Sequence, residues 1–372
     1  MKYNLSDICD YVRGKVDVAS LIYENYISTE NMISNKGGIT SASSLPSVAQ
    51  TQSFQVGDIL VSNIRPYFKK IWFAEFNGGC SNDVLVLRAK DGISKKFLYY
   101  VLTDDTFFNY SMLTSKGTKM PRGDKAAIMK YEVPGFTYKE QEKIAKILEA
   151  FDKKIQLNLN INDNLLTQAK VLFKAWFFDW IPFDRKMPDS WSVSTLGDVT
   201  DMGAGGDKPK TTSHLKTPAC PYPIYSNSIS DYGLYGYTDA PKIMNESVTV
   251  SARGTIGYVC LRHIPYVPIV RLVTLIPNTD ILSAKYLYLF LSHRNITGTG
   301  TTQQQLTVPD FSKTEIPIPD KQIMTSFTEI VTPFFQQIWA NEEENEKLTE
   351  VRDTLLPKLM SGELSVEEVS FD

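Results

Sequence analysis

Ten positions between 144 and 176 step alternately by four and three residues, and the same stepping returns 183 positions later. The first series is Ile144, Leu148, Phe151, Ile155, Asn158, Asn162, Leu165, Ala169, Leu172 and Trp176. The second is Phe327, Val331, Phe334, Ile338, Asn341, Asn345, Leu348, Arg352, Leu355 and Leu359. Such spacing keeps its members on one helical stripe, and sustained this long it predicts two long helices that pair along a seam. A helix of roughly 40 residues is about 60 Å long. Thr137-x-x-Glu140, just after Pro134, is a capping box that marks the first start. Asp320, at the same offset from Thr137, is a good cap for the second.

The chain outside these helices repeats as well. Leu5-Ser6-Asp7-Ile8 returns as Leu196-Gly197-Asp198-Val199, and Lys96-Phe97-Leu98-Tyr99 as Lys285-Tyr286-Leu287-Tyr288. Glu132-Val133-Pro134 returns as Glu315-Ile316-Pro317. The offsets fall from 191 through 189 to 183, so like elements are joined by loops of unlike length. Each copy reads as a mixed α/β domain. In the first, strands are expected from Ile59 to Ile64, Ile71 to Phe76 and Val84 to Leu87, with Asn77-Gly78 as a hairpin turn. A helix is expected from Lys95 to Leu102. The second copy places strands at Val248 to Ser251, Tyr258 to Leu261 and Leu272 to Ile276, and a helix at Ala284 to Leu291. Five segments follow: a mixed α/β domain over 1–136, a helical spacer over 137–181, a second such domain over 182–319, a distal spacer over 320–364 and an acidic tail over 365–372.

If the helices lie antiparallel about a twofold axis, facing positions sum to 503. Ile144 then meets Leu359, Leu165 meets Ile338, Asn158 meets Asn345 and Asn162 meets Asn341. The four amides fall into one layer. A buried amide without a partner costs roughly 1–3 kcal/mol, so this layer is expected to fix the register. Arg352 interrupts the apolar pattern opposite Phe151 and is expected to snorkel out of the seam.

The net charge is -3, but 321–372 holds 4 basic against 11 acidic residues, while 1–138 holds 16 against 13. An acidic tail cannot be a nucleic-acid face, so any such contact must come from local basic loops. No run is long and apolar enough to span a membrane, and no signal peptide opens the chain. The four cysteines, Cys9, Cys80, Cys220 and Cys260, form no C-x-x-C pair and read as reduced thiols of a cytoplasmic protein. With three histidines, His214, His263 and His293, no metal-ligand spacing appears, and there is neither a P-loop nor a Pro-Pro dipeptide. Gly203-Ala204-Gly205-Gly206 reads as a flexible turn, and Pro309-Asp310 lacks the acid-x-Lys of a metal nuclease. No catalytic centre is expected.

The first helix ends in aromatics on every face: Phe173, Trp176, Phe177, Phe178 and Trp180. They are candidates for partner docking, with packing against a recognition domain as the plainer reading.

The order of these parts resembles the DNA specificity subunit of Type I restriction-modification systems. Leu172-Phe173-Lys174-Ala175-Trp176-Phe177, Leu359-Met360-Ser361-Gly362-Glu363-Leu364, and Gln141 and Gln322 early in the helices carry the resemblance. It implies two target recognition domains, related by a pseudo-twofold and joined by antiparallel coiled-coil helices. Each domain would read half of a bipartite, asymmetric site in double-stranded DNA. Two methyltransferase subunits would dock and modify adenine N6, and two motor-nuclease subunits would join them in defence against phage. S-adenosylmethionine, ATP and Mg would belong to those partners, with no cofactor in this chain. Two readings compete: a specificity subunit of a Type IIB-like enzyme, and a coiled-coil adaptor without a DNA role.

Reading DNA takes cations for phosphates and forked donors for base edges. In the first domain the candidates are Asn63, Arg65, Tyr67, Lys69 and Lys70, then Ser115, Lys116, Thr118, Lys119, Arg122 and Lys125, with Gly117 and Gly123 allowing close approach. In the second they are Lys208, Lys210, Asn227, Arg253 and Thr255, then Thr301, Thr302, Gln303, Gln304 and Gln305. Arg65 and Arg253 each follow the first repeated strand.

Overall fold

The computed structural model describes residues 2–298 and 305–366. The chain divides into two compact units, Met1–Leu157 with Glu343–Asp372, and Asn158–Glu342. The division falls inside both long helices, Tyr138–Phe177 and Lys321–Ser361. Each unit therefore takes one mixed α/β domain together with part of each helix. The reason is apolar: the helical stripes complete the cores of the recognition domains.

In the first unit a central antiparallel sheet runs in the order Cys9–Tyr11, Val84–Ala89, Ile59–Ser62, Ile71–Phe73. Ile59 and Val61 face one core with Phe97, Tyr100 and Leu148, while Leu60 faces another with Phe54, Trp72 and Val86. Burial on both faces is why these strands read as unbroken apolar runs. A smaller sheet follows the order Lys15–Asp17, Gln50–Phe54, Gly78–Cys80, Tyr26–Ile27. The hairpin expected at Asn77-Gly78 does not form. Ile71–Phe73 pairs with Ile59–Ser62, and Gly78 opens a strand of the smaller sheet. A Cβ on Gly78 would stand 2.1 Å from the Asn25 carbonyl oxygen, so glycine serves close strand approach there and not a turn. The Asn77 side chain instead accepts from the Val56 N–H at 2.9 Å.

The second unit repeats the central sheet strand for strand, as Thr200–Ala204, Val273–Pro277, Ser247–Val250, Val259–Arg262. Its helical side is apolar, with Val248, Val250 and Leu275 under Tyr286, Leu287 and Phe327. Its other side is polar, where Arg262 donates to Thr249 Oγ1 at 3.0 Å and stacks on Tyr225. The short strands Lys2–Asn4 and Glu132–Pro134 pair in the first unit, as Ser192–Thr195 and Glu315–Ile318 do in the second. The helices Lys95–Thr103 and Ala284–His293 are capped alike, by Ser94 and Ser283.

The long helices run antiparallel within each unit. In the first, Ile144 and Leu148 share a core with Leu356 and Leu359. Lys154 pairs with Glu344 at 3.0 Å. Thr137 and Glu140 form the expected capping box, the Thr137 N–H donating to Glu140 Oε2 at 2.7 Å. Arg352 does not leave the seam. It pairs with Asp152 at 2.7 Å because that carboxylate lies beside the interrupted stripe. In the second unit Asn341 Nδ2 donates to Asn162 Oδ1 at 2.7 Å, and Asn162 Nδ2 to the Ile338 carbonyl at 3.3 Å. Asn158 is buried and Asn345 half-buried. Phe335 is buried in the core of the second unit and the half-buried Phe334 packs against it, because a recognition domain covers that side of the helix. Among the described residues no helix is long and apolar enough to cross a membrane.

Candidate nucleic-acid interface

In the first unit the strand Ile59–Ser62 runs out into a loop whose ends are tied. The Ser62 N–H donates to the Lys70 carbonyl at 3.0 Å and the Asn63 N–H to the Asp83 carbonyl at 2.8 Å. Between them Pro66–Phe68 makes a single 3-10 turn, entered at Arg65 (φ 49°) and left at Lys69 (φ 50°). Proline at its first position fixes the backbone there. A second loop lies alongside. The Arg65 N–H donates to the Pro121 carbonyl at 2.8 Å and the Gly123 N–H to the Asn63 carbonyl at 3.1 Å. Ile64 and Arg122 are bridged, and so are Arg122 and Lys116. The two stretches that the sequence offers as DNA-reading loops are thus one surface.

The second unit has the same fastening. The Leu306 N–H donates to the Ala252 carbonyl at 3.1 Å, and these two residues occupy the places of Gly123 and Asn63. A third loop joins: the Val270 N–H donates to the Gly206 carbonyl and the Arg271 N–H to that of Gly205. Gly203 and Ala204 end a strand, and a Cβ on Gly205 would stand 2.7 Å from the Ile269 backbone nitrogen. The run is therefore a strand end packed at Gly205 and open at Gly203 and Gly206, and not a flexible turn.

Several candidate side chains are turned inward. Asn63 is only 8% exposed, and its Oδ1 has no hydrogen-bond partner. Gly123 lies against it, where a Cβ would stand 2.8 Å from Asn63 Oδ1, so that glycine serves internal packing. Lys69 pairs with Asp105 at 2.6 Å, as Lys36 does at 3.1 Å. Partial burial pushes the Asp105 carboxyl up, but hydrogen bonds and charge from both lysines outweigh it and hold it below the ordinary range. Lys70 Nζ donates to the Thr29 carbonyl at 2.6 Å, and burial lowers its pKa. Asn227 donates to the Val270 carbonyl and accepts from the Ala252 N–H, so it clamps two loops together. Lys116 is exposed but tied to Asp124 at 2.6 Å.

Tyr67, Thr118, Lys119, Arg122, Lys125, Lys208, Lys210, Arg253 and Thr255 are exposed, and Arg65, Ser115 and Gln305 are half-buried. Arg122 Nη2 pairs with Asp83 at 3.2 Å, and Arg253 Nη2 donates to Gln305 Oε1 at 3.1 Å. Thr301, Thr302, Gln303 and Gln304 lie outside the described residues. The acidic partners Asp83 and Asp105 escape sequence reading because they lie 39 and 36 residues from the cations they hold.

The aromatic run packs inward. Phe173 and Phe177 are at most 2% exposed, and both lie against Tyr286 and Phe327. Trp176 packs on Phe327 and Phe183, and Phe178 on His293. Trp180, half-buried, enters the Ile181–Phe183 turn at φ 47°. Phe173 and Phe177 are core residues, so they offer no docking surface. Among the described residues no three His, Cys, Asp or Glu side chains gather as metal ligands.

Residues 1–167 and 188–350 each match the family described as Type I restriction modification DNA specificity domain. The MjaIX specificity subunit of Methanocaldococcus jannaschii is 26% identical over 313 residues, which are 75% of this chain and 71% of that protein. The HindI specificity subunit of Haemophilus influenzae is 24% identical over an alignment covering 98% of this chain and 99% of that one. The crystal structure of a Type-I restriction-modification S subunit from M. genitalium shares the fold, with a TM-score of 0.59 at 19% identity, covering 97% of this chain and 96% of that chain. Two like units, fastened alike and each matched by the same description, place this chain in the Type I restriction modification DNA specificity domain family.

Proposed function

We propose that each unit reads one half of a split, asymmetric site in double-stranded DNA, in the cytoplasm, and that the chain carries two methyltransferase subunits to it. Those subunits methylate adenine N6 with S-adenosylmethionine, and motor-nuclease subunits with ATP and Mg complete a restriction complex. The carrying observation is the shared backbone fastening, Gly123 to Asn63 and Leu306 to Ala252, beneath loops of different composition. Like frames with unlike reading residues suit a target whose halves differ. One chain holding both frames lets two identical partners meet two different half-sites.

Methylome sequencing of cells expressing the chain with its methyltransferase tests this. A bipartite motif with modified adenine is expected. A continuous motif, or unchanged methylation, would overturn the reading. Exchanging residues 114–124 for another loop should alter one half of the motif and leave the other intact.

A further inference from the structure

The two units can be aligned residue by residue at the fastening. Ile59 faces Leu87 in the first sheet as Val248 faces Leu275 in the second, so Ile64 corresponds to Arg253. Asn4 faces Glu132 as Thr195 faces Glu315, and Asp124 caps a short helix as Thr307 does, so Arg122 corresponds to Gln305. Ile64 and Arg122 face each other across a backbone bridge. Their counterparts, Arg253 and Gln305, face each other through a side-chain hydrogen bond. Arg65, by contrast, corresponds to Gly254 and not to Arg253.

One facing pair thus holds an arginine in both units, contributed from opposite sides. Each arginine is tied through the same atom: Arg122 Nη2 to the Asp83 carboxylate, and Arg253 Nη2 to Gln305 Oε1. Both side chains are otherwise exposed on the loop surface. A guanidinium held at one nitrogen keeps other N–H donors free in a fixed plane and loses less freedom on binding. In duplex DNA the partner that such a fork matches is guanine, through N7 and O6 in the major groove.

We propose that this facing pair is the specificity-determining position of both units, that Arg122 and Arg253 each read a guanine, one per half-site, and that Gln305 is a positioning residue for Arg253. The proposal rests on the reading of the chain as a DNA-specificity subunit. The test uses the full chain with its methyltransferase and duplexes carrying its motif, each guanine in turn replaced by 7-deazaguanine, which lacks the N7 acceptor. Affinity should fall roughly ten- to a hundredfold at one position in each half. Arg253→Ala should abolish that sensitivity in one half only, and Arg122→Ala in the other. Gln305→Ala should weaken it beside Arg253, and Gln305→Glu, which keeps an acceptor, should restore it. Thermal unfolding of each variant reports whether the fold is intact. Split-site binding indifferent to every 7-deazaguanine overturns the proposal alone, as does an alanine variant that weakens binding equally on all sequences, the mark of a phosphate contact. A complex that binds no split site overturns the functional reading with it.

Discussion

Arg352 Nη1 stands 2.7 Å from Asp152 Oδ1, 200 residues away along the chain. The same carboxylate accepts from the Tyr100 hydroxyl at 2.6 Å, and the Arg352 guanidinium also meets Asp353. A charge that breaks an apolar stripe is thus built into the join between both long helices and the first recognition domain. Asp152→Ala leaves an arginine and a tyrosine hydroxyl short of their acceptor, and about 2 kcal/mol of stability should be lost. Arg352→Met keeps an apolar stem in the stripe and should cost less. In a double-mutant cycle by chemical denaturation, the two changes should be strongly non-additive.

The amide pair in the second unit behaves differently. Asn341 and Asn162 satisfy each other, with Gln337 donating to Asn341 at 2.7 Å. Leucine at either position alone strands the other amide and should cost roughly 1–3 kcal/mol. Leucine at both should recover much of that loss and release the register. With cysteines at 165 and 338, the native pair should cross-link in one register. The double leucine variant should add shifted products from neighbouring cysteine positions, and a single unchanged product would deny the layer its role.

Much of this architecture was legible beforehand because it rests on periodicity and self-similarity. The alternating stripe located both helices, and the antiparallel sum of 503 set Asn162 against Asn341. What escaped was set by tertiary packing. Gly78 looked like a turn because no local signal reports the Asn25 carbonyl beside it. Lys69, Lys70 and Asn227 read as DNA ligands because the acceptors that hold them are distant in sequence, and Asn63 because its burial is set by packing. Loop composition picked out stretches that the fold brings together, but not which of their side chains are already engaged.

Gly78→Ala tests the corrected strand. The added methyl would collide with Asn25 backbone and the Phe54 ring, at 2.1 and 2.7 Å. Overpacking of this kind costs about 1–3 kcal/mol, which a lowered denaturation midpoint would register. A true turn glycine in open space would tolerate the change far better.

His263 stacks on Trp339 with ring centroids 4.1 Å apart and planes at 13°. Burial, and then the charges of Lys285 and Arg262, lower its pKa from 6.5 to about 4. As the pH falls through that interval the unfolded chain takes up a proton that the folded chain does not, so this group removes stability. Nothing is lost through it above the interval. His263→Phe keeps an aromatic ring on Trp339 and should flatten the decline between pH 6.5 and 4, read from thermal unfolding at a series of pH values.

Phe177 lies within 4.8 Å of Phe327 and 4.9 Å of Tyr286, ring centre to ring centre. Phe177→Ala should open a cavity and cost about 3–5 kcal/mol. An unchanged melting curve with weakened partner binding would return this residue to the role of an exposed anchor.

The bond from Gly123 to Asn63, and its twin from Leu306 to Ala252, joins main chain to main chain. The side chains that flank it take no part in the bond. Substitutions at 64, 122, 253 and 305 can accumulate around such a clasp while the loops stay shut, so a lineage can change the sequence it recognises without first losing its shape. The rigid and the variable are separated by a single covalent bond, from Cα to Cβ.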